Sequence, residues 1–294
     1  MKRLILTLVA VLTLVSVGFS QTKKHILYKQ IDQTLLYIDV IYPKDDQQKT
    51  PRPAIVFFFG GGWVEGNVDA FKYQAAYLAE RGLIAVLVDY RIKNRHGTSP
   101  FESLKDAKSA MRYVKSHAKE LGIIPDSIIA SGGSAGGHLA AATALIKEYN
   151  EETDDLSISC VPQALVLFNP VIDNGPGGYG YERIKDQYKD FSPILNLKKN
   201  APPTIFFLGT KDKLIPVATA EYYKTIMEKI GSRCDLHLFD NQEHAFFNRP
   251  VYFVKTLVLV DEFLVSLGYL KGPPLLDRIE FFAQEKELSR VKKN

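Results

Sequence analysis

Ile128-Ile129-Ala130-Ser131-Gly132-Gly133-Ser134-Ala135-Gly136-Gly137 carries the most information about how this chain folds. It opens on an apolar run and runs on into the helix-forming segment Leu139-Ala140-Ala141-Ala142-Thr143-Ala144-Leu145. Residues 132–136 satisfy Gly-x-Ser-x-Gly. A strand that passes into a helix through one serine, with glycines on both sides, is a nucleophile elbow. The serine has to occupy a sharp, strained turn so that its hydroxyl projects above the sheet, and side chains at the flanking positions would meet the neighbouring strand and helix. Taken alone, the pattern also fits a flexible glycine loop. The strand before it and the helix after it favour the elbow.

Outward from the elbow, residues 26–31 and 35–42 alternate and hold β-branched and aromatic residues, which predicts a hairpin. Continuous apolar runs follow at 54–59, 83–88, 128–130, 164–168, 204–208 and 236–239. Helices are expected between them, near 71–80, from Pro100 through Leu121, and near 217–230 and 251–267. In the second of these, Leu104, Ala107, Met111, Val114 and Leu121 repeat at helical spacing, with Ser99 as a cap and proline in the first turn. Buried strands alternating with helices imply an α/β fold, a mostly parallel eight-stranded sheet covered on both faces. Functional groups in such sheets gather beyond the carboxyl ends of the strands.

The chain of 294 residues is 46% hydrophobic and 24% charged, with a formal charge of +4. That suits one globular domain, expected over residues 21–294. Residues 1–20 read as an export signal: Lys2 and Arg3, an apolar run over 4–17, then Gly18-Phe19-Ser20. The run is short for a bilayer span, which needs about 20 apolar residues. The expected product is periplasmic or extracellular, without stable membrane insertion. Basic residues form no dense patch with interleaved aromatics, which argues against nucleic acid as a partner. The tail over 271–294 shows scattered charge only. Cys160 and Cys234 would enclose a loop of about 74 residues if bridged, but a third strand is expected between their strands. Two buried thiols are the expectation.

Serine needs a base, and the base needs an acid to hold its tautomer. His244 lies just beyond the final strand, on the serine's side of the sheet. His138 sits on the helix under the elbow and His237 inside a strand, while His25, His96 and His117 have no catalytic context. The acid is expected one strand earlier, at Asp212; Asp173 is its rival, and Asp240 is too close along the chain. Gly61 and Gly62, in Phe59-Gly60-Gly61-Gly62-Trp63, and Ala135 are the expected backbone donors of an oxyanion hole. Neither glycine cluster has a nucleotide-binding spacing, and no cluster has metal-ligand spacing, so neither a cofactor nor a metal is expected.

Together these segments resemble the α/β-hydrolase superfamily, and within it the hormone-sensitive-lipase-like and carbohydrate-esterase-like branch. The resemblance runs through Gly60-Gly61-Gly62-Trp63, Asp89-Tyr90-Arg91, residues 132–138, Gly209-Thr210-Lys211-Asp212 and His244-Ala245-Phe246. It implies an exported serine carboxylic-ester hydrolase of the acetyl xylan or feruloyl esterase kind, acting on acylated plant polysaccharide. Phe59 departs from the family pattern, which has histidine ahead of the glycines. Residues 171–193 are expected to form a small cap between strands 6 and 7. Tyr179 and Tyr181 within it, and Trp63 beside the glycine loop, are candidate substrate contacts, each with packing as the alternative role. An exopeptidase or amidase of the same fold, and a non-catalytic carbohydrate-binding homologue, are the rival functions.

Overall fold

A computed structural model describes residues 23–44 and 50–292. The segment read as an export signal lies outside the described residues. Eight strands form one sheet: β1 (Lys23–Ile31), β2 (Thr34–Ile41), β3 (Arg52–Phe58), β4 (Ile84–Val88), β5 (Ile123–Gly133), β6 (Ala164–Phe168), β7 (Thr204–Gly209) and β8 (Cys234–Phe239). Their order is β1-β2-β4-β3-β5-β6-β7-β8. The β1–β2 and β2–β4 pairs are antiparallel, and every pair from β4 to β8 is parallel. This is the expected mostly parallel sheet, and it is an α/β-hydrolase fold.

The strands are apolar throughout because both faces are covered. Val56, Phe58, Val86, Leu165 and Phe206 belong to one core, shared with helices α2 (Pro100–Ser116), α3 (Ala135–Leu145) and α4 (Val217–Lys229). Ile55, Phe57, Leu87, Val166 and Phe207 point into the other, shared with α1 (Lys72–Glu80), α5 (Pro250–Ser266) and α6 (Leu276–Val291). The one-residue alternation between the cores is the period of a strand.

Helix α2 starts in a full capping box: Glu102 accepts from the Ser99 backbone N–H and the Ser99 side chain caps in return. It does not run to Leu121. The helix stops at Ser116, and Leu121 is buried from a separate turn, Ala118–Leu121, closed by Gly122 in the left-handed region. The tail, whose sequence shows only scattered charge, forms a regular helix, α6. Only Ile279, Phe282 and Ala283 give it a buried apolar stripe, too narrow to stand out among its charges. Polar clamps hold it: Arg278 pairs with Glu80 at 2.7 Å, and the Tyr77 hydroxyl accepts from the Leu275 N–H at 3.1 Å. Cys160 and Cys234 are two buried free thiols.

Candidate active site

β5 delivers Ser134 to the turn into α3 with φ 54° and ψ −122°, a strained conformation for a residue with a side chain. The flanking glycines are required by contact. A Cβ on Gly132 would lie 2.7 Å from the Phe58 carbonyl oxygen, and one on Gly136 would lie 2.1 Å from it. Both residues therefore let β5 and α3 close against β3.

His244 stands on the loop after β8. Its Nε2 is 2.9 Å from Ser134 Oγ and its Nδ1 is 2.7 Å from Asp212 Oδ2. The Asp212 side chain is fully buried, and its second oxygen accepts from the N–H groups of Leu214 (2.8 Å) and Ile215 (3.0 Å). Both carboxylate oxygens are thus occupied. One holds the histidine ring, and the other is held by the loop that follows β7. Asp173 is turned elsewhere, accepting from the Gly175 N–H at 2.8 Å, and Asp240 accepts from Thr210 and Asn241.

The other histidines have packing or surface roles. His138 is wholly buried between Phe191 and Trp63 and donates from Nε2 to the Phe191 carbonyl at 2.8 Å. Burial pushes its pKa down to about 4, so it stays neutral. His237 stacks on Phe207 from within β8.

The glycine loop is held by its carbonyls. Tyr90 donates to the Phe59 carbonyl at 2.6 Å, the Gly61 carbonyl accepts from Val64 and Glu65, and Arg183 donates to the Gly62 carbonyl. In a trans peptide the N–H points opposite the C=O. Fixing the Gly61 carbonyl inside its own turn therefore aims the Gly62 N–H away from that turn. Among the described residues, no hydrogen bond uses the N–H of Gly61, Gly62 or Ala135. Phe59, where the family pattern has histidine, stacks on Tyr90 at 4.0 Å. Burial raises the Tyr90 phenol well above its usual pKa, so it remains a donor to the loop.

Gly61, Gly62, Ser134 and His244 line one cavity of about 610 Å³ with Glu65, Asn169, Tyr179 and Arg183. Ala135 follows Ser134 directly at the start of α3. Tyr179 sits in the cavity wall with its hydroxyl over Gly62, and the Arg183 guanidinium lies 5.4 Å over its ring. Two expected contacts are corrected. Trp63 is 1% exposed and packs inward on His138, Tyr179 and Phe191, because a left-handed φ of 59° turns it out of the loop and into the core. Tyr181 is absent from the cavity wall and packs edge-on against Tyr188.

Asn169 was not anticipated. It directly follows β6, is fully buried, and places Nδ2 3.2 Å from His244 Nε2, while its Oδ1 accepts from the Ala245 N–H at 3.2 Å. The second bond fixes which end of the amide faces the ring. Its position just beyond a strand's carboxyl end was the available signal. Among the described residues, no group of three His, Cys, Asp or Glu is placed to hold a metal ion, and no helix is long and apolar enough to cross a membrane.

The fold, with a serine on its strand-to-helix turn, defines the class as α/β-hydrolase. The chain belongs to the carboxylic ester hydrolases of that superfamily, in the hormone-sensitive-lipase-like branch. Esterase 2 of Thermogutta terrifontis is 40% identical, matches over 85% of this chain and 96% of its own, and superposes with a TM-score of 0.81. The BD-FAE family model matches residues 38–175. A probable isoprenylcysteine alpha-carbonyl methylesterase of Arabidopsis thaliana is 27% identical over 73% of this chain and 49% of its own length. The acetylxylan esterase of Xylanibacter ruminicola is 27% identical over 66% of this chain and 41% of its own. The chain thus spans about half the length of the curated relatives it matches.

Proposed function

We propose that this chain hydrolyses carboxylic esters through an acyl-enzyme on Ser134. As Ser134 Oγ attacks the ester carbonyl, His244 Nε2 takes its proton, and Asp212 keeps the other ring nitrogen protonated and the ring in place. The N–H groups of Gly61, Gly62 and Ala135 receive the charge on the tetrahedral oxygen, in a loop whose carbonyls are already anchored. The imidazolium then protonates the leaving alcohol, and water releases the acid by the same route. The observation that carries this reading is the unbroken Ser134–His244–Asp212 chain, at 2.9 and 2.7 Å, whose serine and histidine share one cavity with the glycine loop.

The substrate proposed is an acylated plant polysaccharide or its oligosaccharides, carrying acetyl or feruloyl groups, met after export. The acetylxylan esterase among its relatives supports this, as does the export-like start of the sequence. T. terrifontis esterase 2, known with butyrate bound, supports a site for small acyl groups. Turnover of p-nitrophenyl acetate, butyrate and octanoate is to be measured beside acetate release from acetylated xylan. Fast release from the acetate ester and from xylan is expected. Cleavage of the acetate ester with none of xylan would discard the polysaccharide assignment and keep the esterase.

A further inference from the structure

A second cavity, of about 530 Å³, adjoins the active site and shares Ala70, Ala245 and Asn248 with its wall. Lys72 from α1, Arg249 beyond the histidine loop, and Lys286 and Arg290 from α6 line it, against a single carboxylate, Asp69. Arg249 and Arg290 each reach an exposed glutamate, Glu243 at 3.8 Å and Glu287 at 3.1 Å. The two lysines do not. Among the described residues neither Lys72 nor Lys286 has a carboxylate within ion-pair distance, Asp69 included.

Lys286 is the unusual one. It is 8% exposed, and its ammonium lies over the faces of Phe253 (5.6 Å) and Tyr73 (6.0 Å). Burial, with Arg290 and Lys72 adding like charge, lowers its pKa to about 8. Lysine is seldom buried without a paired anion, because desolvating the charge is expensive. A second lysine beside it adds to that cost, and an anionic ligand in the groove would offset it.

We propose that this groove binds an anionic group carried by the alcohol portion of the ester. Its place beside the histidine loop selects that end of the substrate, since His244 must reach the leaving alcohol's oxygen. This assignment of ends rests on the esterase reading; the anion site itself does not. Two lysines and two arginines around one carboxylate suit a carboxylate or a sulfate on a sugar.

The test is calorimetric titration of the unmodified protein with methyl glucuronoside, methyl glucoside 6-sulfate and neutral methyl glucoside. A companion assay compares kcat/KM for the acetylated glucuronoside and glucoside. At low salt the glucuronoside should bind about tenfold or more tighter than the glucoside, with the same preference in hydrolysis. That preference should shrink in about 0.5 M NaCl, where charges are screened within a few ångströms. It should fall towards one in Lys286→Met and in Lys72→Gln, and survive in Lys286→Arg. Tight binding of the sulfate alone would place sulfated rather than uronic sugars in the groove and uphold it. Equal binding of charged and neutral sugars, or a preference untouched by both lysine substitutions, would overturn the proposal. Selective glucuronoside binding without hydrolysis of any ester would keep the groove and sink the esterase reading. Ester hydrolysis without charge preference would do the reverse.

Discussion

Replacing Lys286 by methionine should stabilise the folded protein, in a way that depends on pH. Methionine keeps the aliphatic stem against Phe253 and Tyr73 and removes the buried charge. The folded pKa is lowered from 10.5 to about 8, mainly by burial. At about 1.36 kcal/mol per decade this corresponds to a cost on the order of 3 kcal/mol in the wild type. Because the folded value lies below the unfolded one, the cost is fully present below about pH 8. Between about pH 8 and 10.5 the unfolded chain holds a proton that the folded chain has lost, so wild-type stability rises with pH there. Above 10.5 the cost is gone. Lys108, also lowered to about 8, titrates alike in both proteins and cancels in the difference. Urea unfolding at pH 7, 9 and 10.5 should give a variant more stable by up to about 3 kcal/mol at pH 7, with the gap closing as pH rises. A variant no more stable than wild type at pH 7, or a gap constant with pH, would show that Lys286 carries no buried-charge cost.

Asp212→Asn should leave the fold intact and lower kcat on the order of 10⁴-fold, because the amide cannot hold His244 in the tautomer whose Nε2 accepts; a loss under tenfold would remove Asp212 from the triad. Asn169→Leu takes away the amide that lies against His244 Nε2 and the acceptor of the Ala245 N–H. A fall in kcat of about tenfold with KM little changed is expected, and steady-state kinetics on p-nitrophenyl acetate would read it.

What could be read in the sequence was what backbone geometry dictates. The serine elbow demands its glycines, and the strand-end rule leads to His244 and Asp212 because each stands just beyond its strand. Trp63 and Tyr181 keep two readings in the sequence for one shared reason. An aromatic beside a glycine-rich loop can face the cavity or the core, and the choice is made by backbone dihedrals and by long-range neighbours such as His138 and Phe191. Asn169 stayed hidden because an asparagine at a strand end is ordinary until the ring of His244, 75 residues away in sequence, is brought against it. Helix α6 was obscured by its own charge, and the basic groove with it, since Lys72, Arg249 and Lys286 meet only in the folded chain.

If Ser134 is the nucleophile, an organophosphate will label it covalently. T. terrifontis esterase 2 is phosphorylated by paraoxon, which makes that reagent the natural probe. Peptide mapping by mass spectrometry of the folded protein after paraoxon treatment should find one diethylphosphoryl group, on Ser134, gained in step with the loss of p-nitrophenyl acetate turnover. Loss of turnover with the label on another residue, or turnover that persists once Ser134 is labelled, would show that Ser134 is not the nucleophile.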